Sequence, residues 1–408
     1  MTPDVLFLEP CFPANQREFV RALHAVGARV TGIGERPKES LDPELRHWLF
    51  HYEQVRNVTD ESEVERVVRF IQQQHIHVDR LEAVVEAHVL AAARVRERCG
   101  IPGTSVQTTF LCRDKPAMKD ALRAAGVSCA QSMGSSDLPE IRAFAAKLGF
   151  PLIVKPRDGA GASGTVRVDS FVELDAALPA FRGRSVAIEE FIEGHEGFYD
   201  TITINGRVVH EFITHYYPNV LEAMRTRWIA PQFVTTNRIN SGGYGELKQM
   251  GQRVVEALGV GTSATHMEWF AGPKGLKFSE IGCRPPGVRA WDLYAAANDF
   301  DIYREWAMAV VWGRPSQSLS RRFAAGIIAL RPECDGIIAG YDGLDEVHRR
   351  FGSFIIDQHL PSPGTPTQAV SAGYMANAWL RLRHPDYDEL RGMLDFVGRT
   401  AKVRAHGH

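Results

Sequence analysis

No apolar run in this 408-residue chain approaches the roughly 18–20 residues that a membrane-spanning helix needs, so no membrane span is expected. Neither sign of charge dominates: 47 Lys and Arg stand against 49 Asp and Glu, for a formal net charge of −2. That balance leaves no electrostatic footprint for nucleic acid or an anionic bilayer. Cysteine is sparse, at Cys11, Cys99, Cys112, Cys129, Cys283 and Cys334. With no CxxC among them, neither a zinc site nor a disulfide framework is indicated. The opening Met1-Thr2-Pro3-Asp4-Val5-Leu6-Phe7 lacks a basic segment and reads as a strand, not a signal peptide. A cytoplasmic location is the expectation. Internal repeats, low-complexity tracts and disordered linkers are also missing. The histidine pairs His47/His51, His75/His77 and His406/His408 lack the acidic companions of a convincing metal site.

What the chain does have is an ordinary globular balance, 44% hydrophobic and 24% charged, at a length that suits two to four modules. Its first hundred or so residues alternate strand and helix. Val5–Leu8 is a short apolar run. Residues 15–26 carry helical periodicity through Phe19, Leu23 and Val26, closed by Gly27, and Arg29–Ile33 is again strand-like. A helix over Glu61–Gln74, a strand over Leu81–Val85 and a helix over Val89–Cys99 follow, the pattern of a doubly wound parallel sheet. No phosphate-binding glycine cluster follows the first strand, so this sheet reads as a support or a substrate wall.

A second unit begins near Thr108, with helices over Lys115–Ala125 and Ile141–Leu148, then strands Pro151–Lys155 and Thr165–Val168 bracketing a Gly-rich loop. A third stretch, about 186–315, is strand-rich and ends in helices over Ala290–Ala297 and Tyr303–Val311. The remainder runs from strand-like Ala324–Leu330 through Pro- and Gly-punctuated segments to a helix near Tyr387–Val397.

Gly159-Ala160-Gly161-Ala162-Ser163-Gly164 matches GxGxxG by letter, but a dinucleotide site needs a helix after the motif. Here an alternating β-type run follows instead, Thr165-Val166-Arg167-Val168. A strand-to-strand loop of this kind is either a flap over nucleotide phosphates, with Gly161, Ser163 and Gly164 letting the backbone approach, or a plain hairpin loop. Lys155, flanked by apolar strand residues at the entrance to the loop, could neutralise phosphate charge or snorkel to an edge. Lys115, in Arg113-Asp114-Lys115-Pro116, reads as a surface residue when taken singly.

Val186-Ala187-Ile188-Glu189-Glu190-Phe191-Ile192-Glu193-Gly194 is a strand ending at a glycine. Glu189 follows an apolar run, where a carboxylate needs a partner, and an adenine amino group would serve. Main-chain groups of Glu190 and Ile192 could read the adenine edge, and Glu196 could accept from ribose hydroxyls. The simpler reading of the segment alone is a solvated acidic turn.

The stretch from Thr265 to Ile281 reads as a β-hairpin around Gly272-Pro273-Lys274-Gly275. Glu268 lies opposite Glu280 if the connecting loop holds an odd number of residues, for example 272–276, and Phe270 then faces Phe278. Facing carboxylates repel unless a cation sits between them, and Mg²⁺ suits such oxygen ligands. In another register one glutamate points to solvent. Arg284, four residues on and followed by two prolines, could clamp a phosphoryl group or a substrate carboxylate, or be an ordinary surface arginine. The segment His210–Arg227 falls where a substrate wall would lie, though its aromatics suit core packing equally.

Taken together, these elements resemble the ATP-grasp superfamily, particularly its L-amino-acid ligase-like, carboxylate–amine ligase branch. The resemblance runs from an α/β domain ending at Gly100-Ile101-Pro102-Gly103 through Asp114-Lys115, Lys155 with its loop, Glu189–Gly194 and the Glu268/Glu280 pair to Arg284. It implies a pre-ATP-grasp doubly wound α/β domain over 1–108, and ATP-grasp subdomains over 109–185 (small, with the flap) and 186–318 (large, with the metal site). A C-terminal α+β subdomain over 319–408 completes the expectation. The implied cofactors are ATP and Mg²⁺, with Mn²⁺ as a substitute. Lys115 and Lys155 would bind phosphates, Glu189 and Glu196 adenosine, Glu268 and Glu280 two metal ions, and Arg284 the acyl phosphate or the carboxylate. The implied reaction activates a carboxylate as an acyl phosphate and couples it to an amine, releasing ADP. Carboxylases and other metabolite ligases of the superfamily, or a non-catalytic nucleotide-binding protein, are the alternatives. Small-molecule carboxylates and amines such as amino acids are the expected substrates, with no nucleic-acid or membrane partner and with room for a homodimer. One departure is Gly282, where many ATP-grasp enzymes carry asparagine; it bears on coordination of the second metal.

Overall fold

The computed structural model describes residues 2–74, 76–157, 164–373 and 375–407. The first unit is a four-stranded parallel sheet, ordered His51–Gln54, Arg29–Gly34, Asp4–Leu8, Arg80–Glu82. Its central strands are buried almost throughout, as expected of a sheet covered on both faces. On one face Val64, Val67, Val68 and Ile71 of the helix Glu61–Gln73, at helical spacing, meet Leu6, Leu8, Ile33 and Leu81. On the other, Phe19 of Gln16–Ala25 packs edge-on against Trp306 at 5.1 Å, tying this sheet to the later helix Ile302–Trp312. The strand expected over Leu81–Val85 is the three-residue Arg80–Glu82, and His51–Gln54 completes the sheet without having been anticipated.

The second sheet is antiparallel, in the order Ser132–Ser135, Val186–Glu190, Leu152–Pro156, Val166–Val168. The strands Leu152–Pro156 and Val166–Val168 flank the Gly-rich segment, whose residues 158–163 lie outside the described residues. Val186–Glu190 is bonded on both sides here, so the expected boundary at 185/186 falls inside the sheet.

The third sheet has eight antiparallel strands, in the order Gly275–Gly282, Ser263–Gly272, His195–Ile204, Arg207–Tyr217, Gln232–Thr235, Ala324–Leu330, Ala378–His384, Ile355–His359. It continues across the expected boundary at 318/319. Ala290–Asn298 and Ile302–Trp312 pack beside Phe198, Phe212 and Phe233, while Gly245–Ala257 packs beside Tyr199 and Met267. Gly194, at φ +150°, crosses against Gly272; a Cβ on either would strike the other chain's backbone. That crossing brings the end of the second sheet onto the hairpin of the third.

The hairpin turn holds only two residues, since Gly272 pairs with Gly275. Glu268 nevertheless lies opposite Glu280, because a bulge between Glu268 and Trp269 leaves Ser279 as the extra residue of its strand. Phe270 consequently pairs with Lys277, and it is Trp269 that faces Phe278. The expected five-residue loop and Phe270–Phe278 pairing are corrected, while the glutamate pair stands.

Candidate active site

Lys155 is set by the strand Leu152–Pro156, whose Leu152 and Val154 enter the core of the small sheet. Its Nζ lies 2.9 Å from Glu189 Oε2 and 3.6 Å from Glu280 Oε2. Burial favours the neutral amine, but Glu189 and Glu280 outweigh it and raise the Lys155 pKa above its ordinary value. Lys115 opens the helix Lys115–Ala124, where Asp114 caps the Ala117 N–H at 3.0 Å. Lys115 is buried rather than at the surface, with Nζ 3.7 Å from Glu280 Oε2. One turn further along the same face, Lys119 is only 1% exposed and contacts Glu189 Oε1 at 2.6 Å. Its burial, against the pull of Glu189, lowers its pKa to about 8.

Glu189 thus sits between two ammonium groups. Burial alone would raise its pKa, but Lys119 and Lys155 hold it at about 2. The partner sought for it in a nucleotide is supplied by the protein. The Glu190 N–H donates to the Gln131 carbonyl at 2.9 Å and its carboxylate pairs with Lys274, so that N–H is not free for an adenine edge. Nor is the segment a solvated acidic turn, for Glu189, Ile192 and Glu196 are all buried. Glu196 accepts from the Val220 N–H at 2.7 Å, and burial together with Glu268 raises its pKa to about 8.

Glu280 is held below the ordinary carboxylate range, because Lys115 and Lys155 overcome its burial. Across the register, Glu268 lies 3.7 Å from His266 Nε2. His266 Nδ1 meets Asp200 at 2.8 Å; burial disfavours the imidazolium, but Asp200 and Glu268 raise its pKa to about 9.

These groups surround a cavity of ≈ 440 Å³, with Lys115, Lys119, Lys155, Glu189, Ile192 and Glu196 around it and Glu268 and Glu280 at one end. A second cavity of ≈ 740 Å³ shares Glu268 and Glu280 and extends between the first and third sheets. Its lining carries Glu86 and Arg284 together with Phe198, Tyr216, Phe233, Met224 and Trp379. Arg284 donates through Nε to Glu86 at 2.7 Å and through Nη1 to the Pro285 carbonyl at 2.8 Å, and so is no free surface arginine. Within His210–Arg227, Tyr216 and Met224 line this cavity, Asn219 lines the first, and Val220 lines both, whereas His210 is buried against Glu305 at 2.7 Å. Gly161 and Ser163 lie outside the described residues; Gly164, at φ +69°, leads back into the sheet beside Pro156.

The sequence reading missed Lys119, Glu86 and Asp200 as neighbours of the site. For Lys119 a signal existed: it lies four residues after Lys115, on one helical face.

Residues 120–298 match the sequence model of the ATP-grasp domain. The L-arginine-specific L-amino acid ligase of Bacillus subtilis is 27% identical over 257 residues, covering 60% of each chain. The chain spans about three fifths of the length of the curated relatives it first matches. The crystal structure of an L-amino acid ligase from Bacillus licheniformis superposes with a TM-score of 0.77 at 18% identity, covering 100% of this chain and 99% of that one. N5-carboxyaminoimidazole synthetase from Staphylococcus aureus, complexed with ADP, superposes at 0.69 with 14% identity and 98% coverage of both. Domain match and fold agree: residues 120–298 match the ATP-grasp domain, and the whole chain shares its fold with these two enzymes.

ATP with Mg²⁺ is the cofactor pair of this superfamily, and the residues present fit it. Two carboxylates directly opposed in the sheet register face a cavity whose other wall carries three buried ammonium groups. That is a donor set for a hard cation sharing its shell with phosphate oxygens.

Proposed function

We propose that the chain is an ATP-dependent carboxylate–amine ligase that phosphorylates a substrate carboxylate, couples it to an amine and releases ADP and phosphate. The observation carrying this reading is that two cavities meet at one pair of carboxylates, Glu268 and Glu280. The first, rich in lysine, suits a nucleotide; Lys115 and Lys155 would take its phosphates and Glu196 its ribose. The second suits the organic substrates, with Arg284 and Glu86 in its lining. Mg²⁺ when bound would supply Lewis-acid neutralisation of phosphate charge. Lys115, Lys155 and Arg284 reduce the repulsion between carboxylate and phosphate, and the low-dielectric pocket strengthens their effect. Amino acids fit the second cavity as a class, for its lining combines charged groups with apolar aromatic side chains. Its ≈ 740 Å³ is ample for two such substrates. The modules are proposed as first expected, with residues 186–190 joined to the small subdomain.

Mg-ATP should raise the melting temperature, by linkage worth about 4 kcal/mol at a thousandfold excess over Kd, while NAD leaves it unchanged. A shift with NAD and none with Mg-ATP reverses the assignment. The reaction is tested by screening amino acids and amines for ADP and phosphate release, with mass spectrometry of the products. With ¹⁸O in the substrate carboxylate, one label should appear in the released phosphate. AMP and pyrophosphate as products, or unlabelled phosphate during amide formation, would eliminate this chemistry.

A further inference from the structure

His266 stands directly opposite Asp200 in the pairing of Ser263–Gly272 with His195–Ile204, and two residues before Glu268 on the same face. Asp200 is 1% exposed, a position where a carboxylate is costly without partners. It has two: His266 Nδ1 at 2.8 Å on one oxygen and the Tyr294 hydroxyl, which donates at 2.5 Å, on the other. Tyr294 is itself fixed, its ring stacked on Phe212 at 4.2 Å with an interplanar angle of 1°. The imidazole is thus pinned at one nitrogen, and its other nitrogen is aimed at Glu268 Oε1, 3.7 Å away, at the wall of the larger cavity.

We propose that His266 is a positioning residue for Glu268: Asp200 and Tyr294 lock the ring so that Nε2, facing the Glu268 carboxylate, orients it toward the metal. The proposal rests on the reading of Glu268 as a metal ligand. Nδ1 faces Asp200 at 2.8 Å and Nε2 faces Glu268 at 3.7 Å, so the ring bridges the two carboxylates by its position. Partners that orient a ligand in this way typically contribute 10–100-fold to metal affinity. A merely structural histidine would need only its Nδ1, to satisfy Asp200.

Two substitutions separate these roles. Asparagine can place its amide near the Nδ1 position and glutamine can extend its amide to the Nε2 position. Mn²⁺ binding is measured with a non-hydrolysable ATP analogue, by electron paramagnetic resonance or calorimetry, so that no turnover is required. His266→Asn should weaken Mn²⁺ by about 10–100-fold, and His266→Gln should recover most of that loss. Tyr294→Phe, which keeps the stacked ring but frees Asp200, should weaken Mn²⁺ severalfold and carries the test if the asparagine variant does not fold. Wild-type affinity in the folded His266→Asn or Tyr294→Phe protein, or a glutamine variant weaker than asparagine, overturns the role of His266. A wild-type protein that binds no Mn²⁺ with the analogue overturns the metal reading itself, and this inference with it.

Discussion

Glu280→Gln should lower turnover by about 10²–10³-fold, the scale of removing one preorganised charge-stabilising group. The fold should survive, because glutamine has the same shape and Glu280 lies at the end of a cavity, not within packed core. Its carboxylate serves two ends. It faces Glu268 across the register, where it would supply half of the protein's oxygen ligands to the metal, and it lies 3.7 and 3.6 Å from Lys115 and Lys155. Loss of the ligand should appear as a raised requirement for Mg²⁺, so turnover is to be measured across a Mg²⁺ series together with the melting temperature. Near-wild-type turnover at limiting Mg²⁺ would remove Glu280 from the metal site. An equal loss accompanied by a collapsed melting transition would mark the residue as structural.

The glutamate pair was legible in the sequence for a partly wrong reason. Strand alternation placed Glu268 and Glu280 on facing positions only if the loop was odd, whereas the turn is even and a bulge at Ser279 restores the register. A bulge inserts one residue without a local signature, so period-2 reasoning finds the faces but not how the parity is met. The parallel sheet and the strands flanking the Gly-rich segment followed from alternation and turn residues, which are local. Glu86 was not legible, since its role arises from a contact across a long sequence separation, to Arg284; Lys119 carried only its helical spacing from Lys115, not its distant partner Glu189. The burial of Lys115 had the same origin. A lysine before a proline reads as surface until the small sheet folds over it.

The other large effect should fall on stability. Glu189→Gln is expected to destabilise the fold by about 3–5 kcal/mol, the usual cost of breaking a buried ion pair by removing one partner. Glu189 is the shared counter-charge of Lys119 and Lys155, at 2.6 and 2.9 Å, and all three are buried. Glutamine offers a carbonyl but no charge, leaving two ammonium groups beside each other in a site that disfavours either. Lys119 is the weaker of the two, because burial already brings its pKa to about 8 with Glu189 present. In the variant that pKa should fall further, while the unfolded chain keeps its lysine near the ordinary value of about 10.4. Between those two values the unfolded state holds more protons than the folded one, so folding stability rises with pH there. The wild type shows the same rise only above about 8, so the deficit of Glu189→Gln should narrow as the pH rises from neutral to about 8 and should stay level beyond. Adding Lys119→Met should recover part of it at neutral pH by removing the unpaired charge, and should flatten the pH dependence. Denaturant midpoints of the wild type, both single variants and the double variant, taken at pH 7 and near pH 9.5, complete the cycle. If Glu189→Gln unfolds at the wild-type midpoint, or its deficit grows with pH, the carboxylate does not hold the two lysines in the way their distances imply.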